Sequence, residues 1–352
     1  MAKESRLRQF PPQPEEIFER RRYAGIVLEP PDYRPGSWIG AGKAMYIEET
    51  GEIILTARPR TAAGNARGYS VNMYRSGDGM AFELVHSLGK KDLSSLAGLN
   101  IHSIEGSQLL KHPANDRWHL YLSVDTGEGF AWGGVKWETL LLTAPDLSGP
   151  WRSEGIVLAN DRAYDAGQAR DATIDIVDGV WLALYKAKNA AREERPALAI
   201  SIDGISFRKE GPLSVDGKDH LCFLSGTLFA GEGGPIFMGL ETQLSDSRRR
   251  SNGVVYADEH GIGHGGGPTP LFVAYRLRRE SRNLETIFRA EWVPKSAYEH
   301  ADHPLLGYSS LVHLADRNLV MNYVEAIDPE YTRAIGLNET VERLLVYRSR
   351  AV

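Results

Sequence analysis

Short apolar runs closed off by Gly, Asp, Asn or Pro fill the 352 residues, and no long amphipathic helix interrupts them. EIILTARPR, RWHLYLSVD, VWLALYKAKN, PIFMGLET and NLVMNYVEA are examples. Each is alternating or continuously apolar over the length of a strand. Such a chain buries its apolar faces by packing sheets, so the pattern predicts an all-β fold. The exceptions are PEEIFERRRY near the N-terminus and KKDLSSLAG, which read as short helical segments.

The strands recur as a unit. A first strand leads into a turn, a second ends in polar or charged residues, a third runs into an Asp-Gly turn, and a fourth closes the unit. Five copies are readable, with first strands near GKAMYIEE, SIEGSQLLKHP, ARDATIDIVDG, LSGTLFAGEG and GYSSLVHLADR. SGDGMAF (Ser76–Phe82) and SIDGISF (Ser201–Phe207) share one turn pattern, with SVDTGEGF and TAPDLSGPW as looser relatives. Asp accepts bonds from the turn backbone and Gly takes positive φ. The fifth unit lacks a fourth strand, and the N-terminal RRYAGIVLEP is a spare one. Gly25–Leu28 also repeats the Gly-Ile-Val-Leu of Gly155–Leu158. The reading is a five-bladed β-propeller of four-stranded antiparallel blades, its last blade closed by an N-terminal strand. It covers residues 1–352 as one domain, with 1–20 as an N-terminal extension and 245–268 as an insertion in blade four. A pair of β-sandwiches would not explain why the two ends complement each other.

Net charge is −5, so there is no global basic footprint for nucleic acid. No apolar run reaches the ~20 residues that span a bilayer, so no membrane partner is expected. The N-terminus shows no apolar secretory core, and Cys222, the single cysteine, excludes an intrachain disulfide. Together these predict a cytoplasmic protein. GAGKA lacks the remaining residues of a phosphate loop. Glycines between His260 and His264 argue against a zinc-protease helix, and Arg248–Arg250 reads as a solvated run. No cofactor and no metal are expected.

Several segments resemble the five-bladed propeller glycosidases and phosphorylases typified by glycoside hydrolase families 43, 32 and 130. ARDATIDIVDGVWLALYKA is similar to their Arg-Asp-Pro strand and hairpin, SIEGSQLLKHP to a Glu-Gly-Pro segment, and LLLTAPDLSGPW to a Gly-Pro-Trp turn. GYSSLVHLADRNLVMNYVE resembles the last-blade Tyr-Ser-Ser-Leu strand of the six-bladed sialidases. The resemblance implies a carbohydrate-active enzyme. It departs in three places: Ala172 and Ser107 replace the prolines, the first blade carries Lys43 where the hydrolases have an Asp, and Glu105 precedes Asp171.

In a propeller the polar groups at the starts of the inner strands line an axial funnel. Glu105 and Asp171 occupy such starts and are the principal catalytic candidates, Glu105 as a general acid. Glu241 and Glu325 end the second strands of units four and five and are held in reserve. Lys43, Arg58, Arg170, Lys186, Trp132 and Tyr308 are the substrate-binding candidates, with Trp137 beside Trp132 as a stacking surface. The cations among them point to an anionic sugar or to inorganic phosphate as co-substrate. The expected function is cleavage of a glycosidic bond in a small carbohydrate, by hydrolysis or phosphorolysis. The alternatives are a non-catalytic carbohydrate-binding propeller and a propeller hydrolase or lyase acting on another bond.

Overall fold

A computed structural model describes residues 13–34, 36–61, 67–127, 136–243, 256–257, 263–264, 270–292, 305–327 and 341–350. The two short helices lie where the sequence places them, as α1 (Pro14–Arg20) and α2 (Lys90–Ala97). Apart from a short 3-10 turn at Ala315–Arg317, the remaining regular structure among the described residues is strand, and the fold is a β-propeller.

The spare N-terminal strand is β1 (Arg22–Leu28). Unit one has a divided first strand, β2 (Trp38–Gly40) and β3 (Ala44–Ile47), then β4 (Glu52–Arg60), β5 (Ser70–Ser76) and β6 (Glu83–Gly89). Unit two is β7 (Ser103–Lys111), β8 (Trp118–Asp125), β9 (Trp137–Ala144) and β10 (Arg152–Leu158). Unit three is β11 (Gln168–Val177), β12 (Val180–Lys188), β13 (Glu194–Ser201) and β14 (Arg208–Pro212). A two-residue strand β15 (Ser214–Val215) then joins the edge of unit four. Unit four is β16 (Cys222–Phe229), β17 (Ile236–Gln243), β20 (Leu271–Arg278) and β21 (Asn283–Glu291). Between its second and third strands lies a small pair, β18 (Tyr256–Ala257) and β19 (Gly263–His264). These four residues are the described part of the 245–268 insertion, and the side chains of His260, His264 and Arg248–Arg250 fall outside the description. Unit five is β22 (Leu305–Leu314), β23 (Leu319–Ile327) and β24 (Glu342–Arg350).

Unit five takes its fourth strand from the N-terminus: β1 pairs antiparallel with β24. The Gly-Ile-Val-Leu repeat explains how. β1 has register shifts between Tyr23 and Gly25 and between Ile26 and Leu28; β10 has them between Ser153 and Gly155 and between Ile156 and Leu158. The same four residues therefore make the same two irregularities on the outer edges of two units.

The inner strands are bonded in a cycle. Ser107 N donates to Ala41 O at 2.9 Å, joining unit two to unit one. Gln108 exchanges two bonds with Ile174, at 2.6 and 2.8 Å, joining two to three. Thr173 Oγ1 donates to Gly226 O (3.4 Å), Leu311 N to Thr227 Oγ1 (2.9 Å) and Ala44 N to Ser310 Oγ (2.8 Å), joining three to four, four to five and five to one. Small hydroxyls and one amide thus satisfy backbone groups that neighbouring strands cannot reach, as buried polar groups require. Apolar clusters such as Leu120, Leu122, Leu140, Leu142 and Trp151 fill the spaces farther out.

Candidate functional site

Three inner strands carry a β-bulge near their start: β7 between Ile104 and Ser107, β11 between Arg170 and Thr173, β22 between Leu305 and Ser309. A bulge breaks the pairing and re-aims the extra side chain. Glu105, Asp171 and Tyr308 sit in these three bulges. Asp171 has φ 52°, a left-handed conformation that a non-glycine residue keeps only when its surroundings hold it there. Gly106 leaves room for it: a Cβ on Gly106 would lie 2.7 Å from Asp171 Oδ1.

The surroundings are specific. Asp171 Oδ1 accepts from Gly106 N (3.1 Å) and Ser123 Oγ (3.1 Å), and Asp171 N donates to Ser123 Oγ (2.8 Å). Oδ2 accepts from the Tyr308 hydroxyl at 3.0 Å and lies 3.5 Å from Arg170 Nε. Burial alone would raise this carboxyl. Arg170 and Lys186, with the bonds from Tyr308 and Gly106, hold it below the ordinary carboxylate range. Arg170 Nε also donates to Gln168 Oε1 (2.9 Å), and the guanidinium lies over the Trp137 ring, 4.5 Å from its centre. Trp137 is buried, so its face is taken by Arg170 and is not a sugar platform. Trp132 lies outside the described residues.

Beside this group, one nitrogen of Arg58 serves two acids. Arg58 Nη2 donates to Glu105 Oε2 at 2.7 Å and lies 3.8 Å from Glu325 Oε1. Glu325 Oε2 accepts from Ala41 N (3.0 Å), and Ala41 too is left-handed, at φ 54°. Burial pushes the Glu325 carboxyl up by more than Arg58 pulls it down, and the Glu105 charge adds to the rise. Arg58 and Glu325 are sealed at 1% side-chain exposure, while Glu105 is open at 15%. Burial disfavours the Arg58 charge, but Glu105 and Glu325 more than restore it.

Lys43 occupies the gap between β2 and β3. Its Nζ donates to Ser225 Oγ (3.1 Å), Gly226 O (2.8 Å) and Ser309 O (3.2 Å), so it joins units one, four and five. Burial lowers its ammonium to about 7, against an opposing pull from Asp171. The sequence reading of Lys43 as a substrate ligand meets a side chain already committed to three protein oxygens. Lys186 lies 3.3 Å from Glu194 and over the Phe223 ring, and Lys188 pairs with the same Glu194.

Glu241 belongs to a neighbouring arrangement on unit four. It is sealed, with His220 Nε2 (3.0 Å) and Arg289 Nη2 (2.6 Å) on Oε1 and the Tyr275 hydroxyl on Oε2. His220, Cys222 and Glu241 place ligand atoms within 4.8 Å of one another. Both Glu241 oxygens already accept bonds, and burial followed by the Glu241 charge pushes the Cys222 thiol up. The hydrogen bonds make the group a carboxylate clamp around Glu241.

The structure therefore brings together Glu105, Asp171, Glu325, Arg58, Arg170, Lys43 and Tyr308, with Lys186 alongside and Glu241 apart. Glu194, Ser123 and Gly106 were not anticipated. Glu194 was readable only as one charge in a polar loop, although it lies opposite Lys188 in the β12–β13 register.

No protein family and no curated protein matches the chain. Solved structures do. BT0996, solved as an RGII complex, is similar at TM-score 0.64 and 11% identity over 96% of this chain and 94% of its own. Zg3597, a family 117 glycoside hydrolase of the marine bacterium Zobellia galactanivorans, gives 0.57 and 13% over 95% and 91%. The β-1,2-mannobiose phosphorylase of Listeria innocua, in complex with β-1,2-mannobiose, gives 0.53 and 13% over 91% and 94%. What they share with this chain is the propeller fold, as the sequence resemblance implies. No helix among the described residues is long and apolar enough to cross a membrane.

Proposed function

We propose that this protein is a carbohydrate-active enzyme that cleaves a glycosidic bond at the end of the propeller where Glu105, Asp171 and Glu325 meet. The five units are read as five blades of one closed ring, a single cytoplasmic domain spanning residues 1–352; the cycle of inner-strand bonds supports the ring. Neighbours of this fold that hydrolyse or phosphorolyse glycosides support the reaction class. The observation that carries the assignment is the Arg58 bridge: two carboxylates on one sealed guanidinium, with Glu105 open and Glu325 closed.

In this reading Glu105 reaches the scissile bond and gives a proton to the leaving sugar oxygen. Arg58 fixes its direction, and Glu325, its carboxyl pushed up by burial, shares the same guanidinium. Asp171 stays ionised and faces the positive charge that develops on the sugar ring. The acceptor is water in hydrolysis or inorganic phosphate in phosphorolysis, and parallel assays with and without phosphate separate the two. The second reading, a non-catalytic carbohydrate-binding propeller, is favoured by Lys43, which leaves unit one without a carboxylate between β2 and β3.

Turnover of a glycoside panel by the wild type and by Glu105→Gln and Asp171→Asn tests the proposal. Each substitution is expected to lower turnover by about 10²–10⁴-fold in a folded protein. Unchanged turnover in both removes the assignment, and binding without turnover by the wild type selects the binding reading.

A further inference from the structure

Charges at the site end of the propeller are layered. In unit three Arg170 is 10% exposed above Asp171 at 2%, and Lys188 is 17% exposed above Glu194 at 8%. In unit four Arg289 and His220 are partly open above the sealed Glu241. Arg67 stands over the buried Asp125 of unit two in the same sense. The acid is the deeper partner in each of these pairs. The Arg58–Glu105 pair is inverted, with the cation sealed and the acid open. Farther out the order relaxes, and Arg195 meets the exposed Asp219 and Glu193.

Glu105 thus opens beside basic groups. Three of them crowd together on unit three. Burial and, after the attraction of Glu194, the repulsion of Lys186 and Arg170 bring Lys188 down to about 8. Cations stacked on rings and pressed against one another above their counter-charges gain from an added anion, which a guanidinium and ammonium pair binds through charge-assisted hydrogen bonds.

We infer that the substrate is an anionic glycoside, whose carboxylate, sulfate or phosphate group seats against Arg170, Lys186 and Lys188 while its glycosidic oxygen meets Glu105. The inference rests on the glycosidase reading and adds the substrate class to it. A neutral sugar would leave three cations sharing two carboxylates, Asp171 and Glu194, and would gain nothing from the inverted layering.

The test uses the full chain and matched 4-nitrophenyl pairs: a hexoside and the corresponding hexuronide, in α and β forms of the gluco and galacto series. The 6-sulfate and 6-phosphate esters of the same hexosides identify which anion is preferred. The acidic member of a pair is expected to exceed its neutral partner in kcat/KM by about 10–100-fold, the worth of one or two hydrogen bonds to a charged group. Lys188→Met should remove most of that advantage, read as the acidic-to-neutral ratio of kcat/KM within each pair. Faster turnover of the neutral members overturns the anionic inference and leaves the glycosidase reading standing. Calorimetric binding of glucuronate or galacturonate without turnover of any pair overturns the glycosidase reading and retains the anion site. Binding and turnover of neither class overturn both.

Discussion

Lys43 sits in an environment far from the one its type prefers. Its ammonium is buried without a carboxylate bonded to it, and it spends its three protons on Ser225, Gly226 and Ser309. The cost is visible in its titration, about 7 in the fold against 10.5 for the free side chain. Between these values the unfolded chain binds the extra proton and the folded chain does not. Stability from this group therefore rises as pH climbs from 7 toward 10.5 and is flat below 7. Urea denaturation at pH 7 and pH 9.5 should show the wild type gaining stability relative to Lys43→Met, and equal pH responses would contradict the account. Residue identity alone took the sequence reading some distance. Glu105 and Asp171 are legible because each adjoins a strand start, and Glu325 because it ends a second strand. Their partners were not legible. Arg58 bridges acids 47 and 267 positions away in the chain, and contacts between units cannot be read from local pattern. Glu241 shows the converse: its strand-end position was read correctly, but His220, Tyr275 and Arg289 draw it into a separate clamp.

At the scale of the element, the repeated turn SxDGxxF is the best-defined device. In both copies Ser Oγ accepts from the glycine N–H, at 2.8 Å (Gly79) and 3.0 Å (Gly204). Asp78 Oδ1 accepts from Met80 N and Ala81 N, and Asp203 Oδ1 from Ile205 N and Ser206 N. A tyrosine of the preceding unit pins each turn: Tyr323 donates to Gly79 O at 3.0 Å and Tyr121 to Gly204 O at 2.7 Å. The matching phenylalanines, Phe82 and Phe207, meet those tyrosines edge-on. Both glycines are left-handed, and a Cβ on either would lie within 3 Å of the packed neighbour. Gly79→Ala and Gly204→Ala should each cost about 1–3 kcal/mol from backbone strain, before any repacking. Gly77→Ala, in the same loop but with open space around it, should stay within about 0.5 kcal/mol. Chemical denaturation measures all three, and equal costs would contradict the pinned-turn account. The turn was legible from spacing, the pinning tyrosines were not. SVDTGEGF differs from these two: Ser123 lies inside β8 and serves Asp171, while Asp125, the last residue of β8, accepts from Gly127 N.

For the whole molecule, the propeller fold and the pairing of the N-terminal strand with the last strand were legible because they follow from periodicity and from one missing strand. β1 supplies that strand on β24, so the outer edge of the fifth unit is covered. Closure in turn sets the chemistry. Glu105, Asp171 and Glu325 come from units two, three and five, and each is aimed by a bulge or a strand end at the same rim. Small hydroxyls such as Ser310, Thr227 and Thr173 span the inner strands and hold these elements in register. The central claim is that the Arg58-bridged Glu105 is the carboxylate that reaches the glycosidic bond. The most direct measurement is a crystal structure of Glu105→Gln with a bound glycoside. The account predicts the glycosidic oxygen about 2.6–3.2 Å from the side chain at position 105, with the sugar ring facing Asp171. A glycoside bound elsewhere on the propeller, with the rim between Glu105 and Asp171 empty, would contradict it.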